Sequence, residues 1–200
     1  MLFECGTNKA MTARERTRKP PRKPPPPLDR ARLEALALAY VGRFATTRAK
    51  LVTYLKRKLR ERGWGEPDEP ATVALADRLA RLGYIDDAAY ALAKGRSLSQ
   101  RGFGRRRVAL ALRAAGVGEE DRSPAEDAAQ AEALTAALRF AKRRRIGPFA
   151  SDLPDPKTRQ RGLAAMIRAG HDFAVSRRIV DLAPGDSGEE LAKEFGTDFN

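Results

Sequence analysis

The sequence predicts an all-α fold, an elongated solenoid-like array of three tandem three-helix repeats. Three observations carry this expectation. Alanine (35) and leucine (21) dominate the 200 residues, whereas valine and isoleucine together number 11, too few for a sheet protein. Apolar residues from Asp29 onward recur at i, i+3, i+4 and i+7, the period of a one-sided helix. Helix-ending segments also recur: Leu59–Gly63, Leu112–Gly116 and Met166–Gly170 each run from an apolar residue to glycine, and their glycines lie 53 and 54 residues apart.

In chain order, Leu33, Leu36, Ala37 and Tyr40 stripe a first helix. A second covers Thr47 to Arg62, with Leu51, Tyr54, Leu55 and Leu59 inward and Gly63 as its stop. Pro67 and Pro70 open a third, whose inner residues are Leu75, Leu79 and Leu82 and which Gly83 ends. Asp86 and Asp87 start a fourth, because a carboxylate there accepts orphan backbone N–H bonds; Tyr90, Ala93 and Ser97 are its expected inner face. The fifth runs from about Gly104 to Ala115 on Val108, Ala111, Leu112 and Ala115. A long sixth segment is expected from Pro124 to about Arg145, with Ala131, Leu134, Leu138 and Ala141 in phase. Gly147-Pro148 and Pro154-Asp155-Pro156 mark a loop, and two helices follow, Lys157 to Ala169 and Phe173 to Leu182.

Charge is distributed unevenly. The chain holds 39 Lys+Arg against 26 Asp+Glu, net +13. Residues 1–27 hold six of the 13 prolines and a net charge of +5, and read as a disordered basic Pro-rich arm. Residues 184–200 carry net −4 and read as a disordered acidic tail. The remaining +12 lies in 28–183, the expected folded part, with repeats at about 28–83, 84–130 and 131–183. Such a chain is attracted to polyanions, although an Arg- and Ala-rich composition also follows from GC-rich coding. A basic cluster precedes each repeat glycine: Lys56, Arg57 and Lys58; Arg105, Arg106 and Arg107; Lys157, Arg159 and Arg161. At a constant period these make a basic stripe along a rod. The alternative is three amphipathic helices with solvated arginine faces.

Several function classes are excluded. One cysteine, Cys5, rules out a disulfide framework and a cysteine-cluster zinc site. The longest uncharged run, Ala35 to Gly42, is too short to span a bilayer, and no apolar run opens the chain, so a cytoplasmic setting with no membrane partner is expected. Gly102-Phe103-Gly104-Arg105 lacks the GK[ST] ending and preceding strand of a nucleotide loop, but as a helix start it has room for one phosphate. His171, the only histidine, has no nucleophile partner and reads as structural. Trp64 reads as packing between repeats. No catalytic residue, metal site, cofactor or small-molecule substrate is expected, and the chain is read as a non-enzymatic monomer.

Arg81-Leu-Gly-Tyr-Ile-Asp-Asp-Ala-Ala-Tyr-Ala91 resembles a signature of the RecX family of RecA regulators, carried by Leu82, Gly83, Tyr84, Ile85, Asp86, Asp87, Tyr90 and Ala91. Arg101-Gly102 with the basic helix closing at Gly116-Val117 is similar to the family too. So is Ala164-Ala-Met-Ile-Arg-Ala-Gly-His-Asp-Phe173 with Arg177 and Arg178. Tyr90 stands where the family usually has phenylalanine, and the Pro-rich arm is not a general family feature. The resemblance implies three tandem three-helix repeats. It also implies binding to RecA filaments on single-stranded DNA, and damping of their ATPase, strand-exchange and coprotease activities in DNA repair and the SOS response. A general nucleic-acid-binding helical protein is the competing reading. Under either, the candidate contacts are Lys56, Arg57, Arg60, Arg105, Arg106, Arg107, Lys142, Arg143, Arg144, Arg145, Arg168, Arg177 and Arg178.

Overall fold

The computed structural model describes residues 26–186. Among them are nine α-helices: α1 Arg30–Val41, α2 Arg48–Arg62, α3 Thr72–Arg81, α4 Asp87–Gln100, α5 Arg105–Ala114, α6 Glu119–Ala131, α7 Ala133–Arg144, α8 Pro156–Arg168 and α9 Phe173–Asp181. A single 3-10 turn, Gly147–Phe149, lies between α7 and α8. The expected arm, apart from its last residues, and nearly all of the expected tail fall outside the described residues, as does Cys5.

Each consecutive trio of helices closes its own apolar cluster. Leu28, Leu33, Leu51, Leu55, Leu79 and Ile85 form the first, with Trp64, Tyr40 and Tyr54 packed against it. Ala91, Leu98, Val108, Leu112, Ala125 and Ala129 form the second. Leu134, Phe140, Met166, Ile179 and Val180 form the third. Each buried leucine contributes about 2 kcal/mol to its cluster. The second cluster is poor in large side chains; α4 and α6 approach closely there because Gly95 faces Ala125, where an added Cβ would meet the alanine methyl at 3.3 Å.

Four expectations are corrected. Leu82 is 63% exposed, because α3 stops one residue earlier and the amide of Tyr84 bonds the Leu79 carbonyl (3.0 Å), which turns the chain so that Ile85 enters the core. The inner face of α4 is Asp87, Ala91, Gly95, Leu98 and Ser99, whereas Ala93 and Ser97 are exposed. The long sixth segment is two helices, broken at Glu132 (φ −89°, ψ 9°). The first of these begins ahead of Pro124, because Glu119, Glu120 and Asp121 complement the positive end of the helix dipole. Trp64 packs within the first cluster and donates its indole N–H to the Asp68 carbonyl (2.5 Å) rather than bridging repeats.

The trios are joined end to end through their middle helices. The buried hydroxyl of Thr47, the N-cap of α2, accepts from the Lys50 amide (3.2 Å) and donates to the Ala115 carbonyl at the end of α5 (2.6 Å). In the same way the end of α8 meets the start of α5. The Gly104 amide donates to the Ala169 carbonyl (3.0 Å) and the Arg106 amide to the Gly170 carbonyl (3.2 Å). A helix C-terminus thus faces a helix N-terminus twice, so orphan carbonyls and orphan amides satisfy one another. Glycine permits the contact. A Cβ on Gly104 would collide with the Gly170 carbonyl, and one on Gly116 with the Ala49 side chain.

Candidate functional site

The candidate cations occupy four stations along this array. On the second half of α2, Lys56 and Arg60 are exposed with no ion pair among the described residues. Arg57 pairs with Glu61 (3.7 Å) and lies 5.5 Å from the centre of the Tyr54 ring. Lys58 takes the other side of Glu61 (2.6 Å), and its ammonium holds that carboxyl below the usual carboxylate range.

At the start of α5, Arg105 reaches Glu126 (3.9 Å), Arg106 reaches Asp172 (3.6 Å), and Arg107 is exposed without an ion pair among the described residues. Three arginines at a helix N-terminus oppose the helix dipole; the C-terminus of α8, docked at that point, offsets the cost. The same docking answers the question of a phosphate seat at Gly102–Arg105. The Gly104 and Arg106 amides already serve α8 carbonyls, so that helix start is occupied.

At the end of α7, Arg143 donates to the Arg101 carbonyl and lies over the rings of Phe103 (5.9 Å) and Phe140 (5.4 Å). Arg144 lies 5.9 Å from the Phe140 centroid. Lys142 and Arg145 are exposed with no ion pair among the described residues. All four suit the negative end of a helix dipole. Arg145 takes the left-handed conformation (φ 53°, ψ 52°) in which glycine usually closes a helix. In the last two helices, Arg168 is exposed, Arg177 pairs with Asp181 (3.7 Å), and Arg178 is exposed and has a partner. Exposed pairs of this kind are worth less than about 1 kcal/mol, so phosphates can displace the carboxylates.

The clusters do not share one register. Counted from the N-caps, Arg105–Arg107 occupy the first turn of α5, whereas Lys56–Lys58 lie about 12 Å further along α2. The first-turn cations of α2 are Arg48 and Lys50, which the glycine-based alignment missed because α2 is longer than α5. The third cluster combines with the end of α7: Arg144, Arg145, Arg159 and Arg161 line one cavity of about 430 Å³ beside the start of α8. There the Asp155 carboxylate caps Thr158 (amide 2.9 Å, hydroxyl 2.8 Å), bonds that hold its pKa below the ordinary value.

The two aspartates of the motif divide their work. Asp86 caps α4, accepting from the Ala89 amide (2.7 Å). Asp87 is buried and accepts from the Arg48 amide (3.0 Å) and its Nε (2.9 Å); a second guanidinium nitrogen reaches Asp121 (3.2 Å). The Asp87 bond and charge hold the Arg48 guanidinium protonated still more firmly than usual. Tyr90 receives Lys50 at its hydroxyl, with the ammonium 4.5 Å from the ring centre. Gly83 turns the chain with φ 78°, and Leu82 and Tyr84 are exposed. The motif therefore locks the first trio to the second. His171 is buried against the Gly102 carbonyl (Nε2 3.1 Å) and packs on Phe140, and burial pushes its pKa below the ordinary imidazole value. Among the described residues no group of His, Cys, Asp and Glu is placed to hold a metal, and no helix is long and apolar enough to cross a membrane.

A regulatory protein RecX of Myxococcus xanthus is 34% identical to this chain over 182 residues, spanning 86% of the chain and 94% of the relative. The chain belongs to the RecX family. Regulatory protein RecX of Thermobifida fusca is 31% identical over 151 residues, spanning 75% of this chain and 77% of its own length. The family model for the second three-helix domain of RecX matches residues 86–125, which begin at the α4 cap and take in α4, α5 and the first half of α6. The crystal structure of RecX from Lactobacillus salivarius shares the fold, with a TM-score of 0.54 at 18% identity over 75% of this chain and 93% of that one. The array of three tandem three-helix repeats is thus the RecX architecture. The relatives that match over most of their length are regulatory proteins by name.

Proposed function

We propose that this chain binds RecA filaments assembled on single-stranded DNA and regulates them, mainly by inhibiting their recombinase, ATPase and coprotease activities in DNA repair and the SOS response. It acts as a cytoplasmic, non-enzymatic monomer. The limits of the repeats near residues 83 and 130, the basic arm and the acidic tail belong to the same proposal. The observation that carries it is a RecX array joined end to end, along which Lys56, Arg60, Arg107, Lys142, Arg145 and Arg168 stand without acidic partners among the described residues. Weak contacts on one body reinforce one another by effective concentration, which suits a long filament of repeating subunits and phosphates.

The test is to add the protein to preformed RecA–single-stranded DNA filaments and follow ATP hydrolysis. The rate falls at equimolar protein. Replacing Arg105, Arg106 and Arg107 by glutamine weakens the effect while helicity stays. Glutamine is the better substitution, since glutamate would place acid against Glu126 and Asp172. An unchanged rate with wild-type protein contradicts the proposal. The four-arginine cavity favours a second reading, a general nucleic-acid-binding protein, which predicts salt-sensitive DNA binding with no effect on RecA.

A further inference from the structure

Cations read phosphate and leave bases unread. We propose that the cleft between the first two repeats takes a nucleobase of single-stranded nucleic acid, which stacks on Phe44 and Tyr84 and hydrogen-bonds to the Thr46 hydroxyl. The inference rests on the reading that the chain engages single-stranded DNA, and adds to it a site for the base.

The cleft has a volume of about 500 Å³ and is lined by Phe44, Thr46, Tyr84, Asp86, Tyr90 and Lys94, among others. That is within the size range of small-ligand sites. Its aromatic walls are exposed: Phe44 by 53% and Tyr84 by 57%. Its floor is the Tyr90, Ala93 and Ser97 face of α4, on which Tyr90 is half-buried while Ala93 and Ser97 are left exposed by the fold.

Thr46 lines the cleft but is only 6% exposed, and its hydroxyl oxygen is closed off with no hydrogen-bond partner, so a base reaches it when the threonine side chain turns the hydroxyl toward the cleft. A buried hydroxyl left unpaired bears its full desolvation cost, so a ligand that supplies a donor or acceptor there gains a bond. The one acid on the cleft, Asp86, is engaged in capping α4.

Cations flank the rings. Arg43 lies 5.8 Å from the Phe44 centroid, and neither Arg43 nor Lys94 has an ion pair among the described residues. A second cleft, about 350 Å³, shares Phe44 and holds Tyr40, Tyr54 and Arg57. There Tyr40 stacks on Tyr54 at 4.2 Å and approaches Phe44 at 5.4 Å. Phe44 is thus shared by two clefts and belongs to a run of rings edged by positive charge, the combination that single-strand binders use to stack bases and track phosphates. An aliphatic protein side chain in the cleft would give the hydroxyl no bond and the cations no anion.

The test is fluorescence anisotropy of the full chain with labelled oligothymidine and with an abasic phosphodiester strand of equal length. Wild type binds oligothymidine more tightly. Phe44→Ala loses about tenfold on oligothymidine and nothing on the abasic strand. Thr46→Val, close to isosteric, loses about fivefold on oligothymidine alone. Circular dichroism checks that both variants are folded. Equal wild-type binding to the two strands, or an undiminished Phe44→Ala, overturns the inference while leaving the filament proposal standing. If wild type binds neither strand yet slows the RecA ATPase, and Phe44→Ala abolishes that, the cleft docks protein and the inference falls. If wild type does neither, both readings fall.

Discussion

The two joints of the array make the same contact by different chemistry. Between the first and second repeats it is made with side chains. The Thr47 hydroxyl holds the Ala115 carbonyl, and Arg48 binds Asp87 and Asp121. Between the second and third it is made with backbone. Gly104 and Arg106 amides hold the Ala169 and Gly170 carbonyls directly, and His171 braces the Gly102 carbonyl. At the first a hydroxyl links the two helix ends; at the second amide meets carbonyl directly. The first joint is therefore chemically demanding and half wet, with the Arg48 side chain 46% exposed. The second is buried and closed mainly by backbone, although both are sterically tight, since Gly116 at the first faces the Ala49 side chain as closely as Gly104 at the second faces the Gly170 carbonyl. One repeat plan tolerates both because the requirement is only that helix-end carbonyls and helix-start amides be satisfied.

Either joint can be disrupted by a single substitution. The largest effect is expected from Gly104→Ala, which drives a methyl group into the Gly170 carbonyl; overpacking against backbone lowers stability by about 3 kcal/mol in urea unfolding. Asp87→Ala leaves the Arg48 amide and guanidinium without their buried acceptor. Because the guanidinium is half exposed and regains water, the loss is smaller, about 2 kcal/mol.

The smallest effect sharpens the contrast through pH. Burial lowers the folded pKa of His171 below about 6.5, so the unfolded chain binds a proton that the folded chain resists. The contribution is complete above that pH and is lost as pH falls below it. His171→Gln keeps an N–H for the Gly102 carbonyl but cannot titrate. Melting curves between pH 7 and 5 show a shallower acid decline for the variant, whereas Asp87→Ala leaves the His171 component in place. Identical slopes for wild type and His171→Gln would remove the pH distinction between the joints.

Much of the fold was legible because local signals agreed with global packing. Asp29, Thr47, Asp86, Asp155 and Asp172 each cap a helix through the side chain. The stripes of α1, α2 and α5 mark their buried faces. The α4 stripe misled because its small residues fit either face. Asp87 was legible as a helix starter but not as an inner residue, since its burial depends on Arg48, 39 positions earlier. Among the candidate contacts, the sequence singled out the cations but not their stations. Helix length shifts Lys56–Lys58 away from Arg105–Arg107, and only the fold brings Arg144 and Arg145 to Arg159 and Arg161. Arg143 shows the converse: in sequence one of four like charges, in the fold a clamp on Arg101 and Phe103.

In the function we propose, the end-to-end joints turn scattered cations into one filament-binding body. Thr47→Val plus Asp87→Asn loosens the first joint and leaves every candidate cation in place, and the folded variant is titrated against RecA–single-stranded DNA filaments. Separate repeats lose their mutual effective concentration, so the variant needs at least about tenfold more protein to slow ATP hydrolysis by half. Undiminished potency in a variant shown to be loosened would mean that the joints play no part in filament binding.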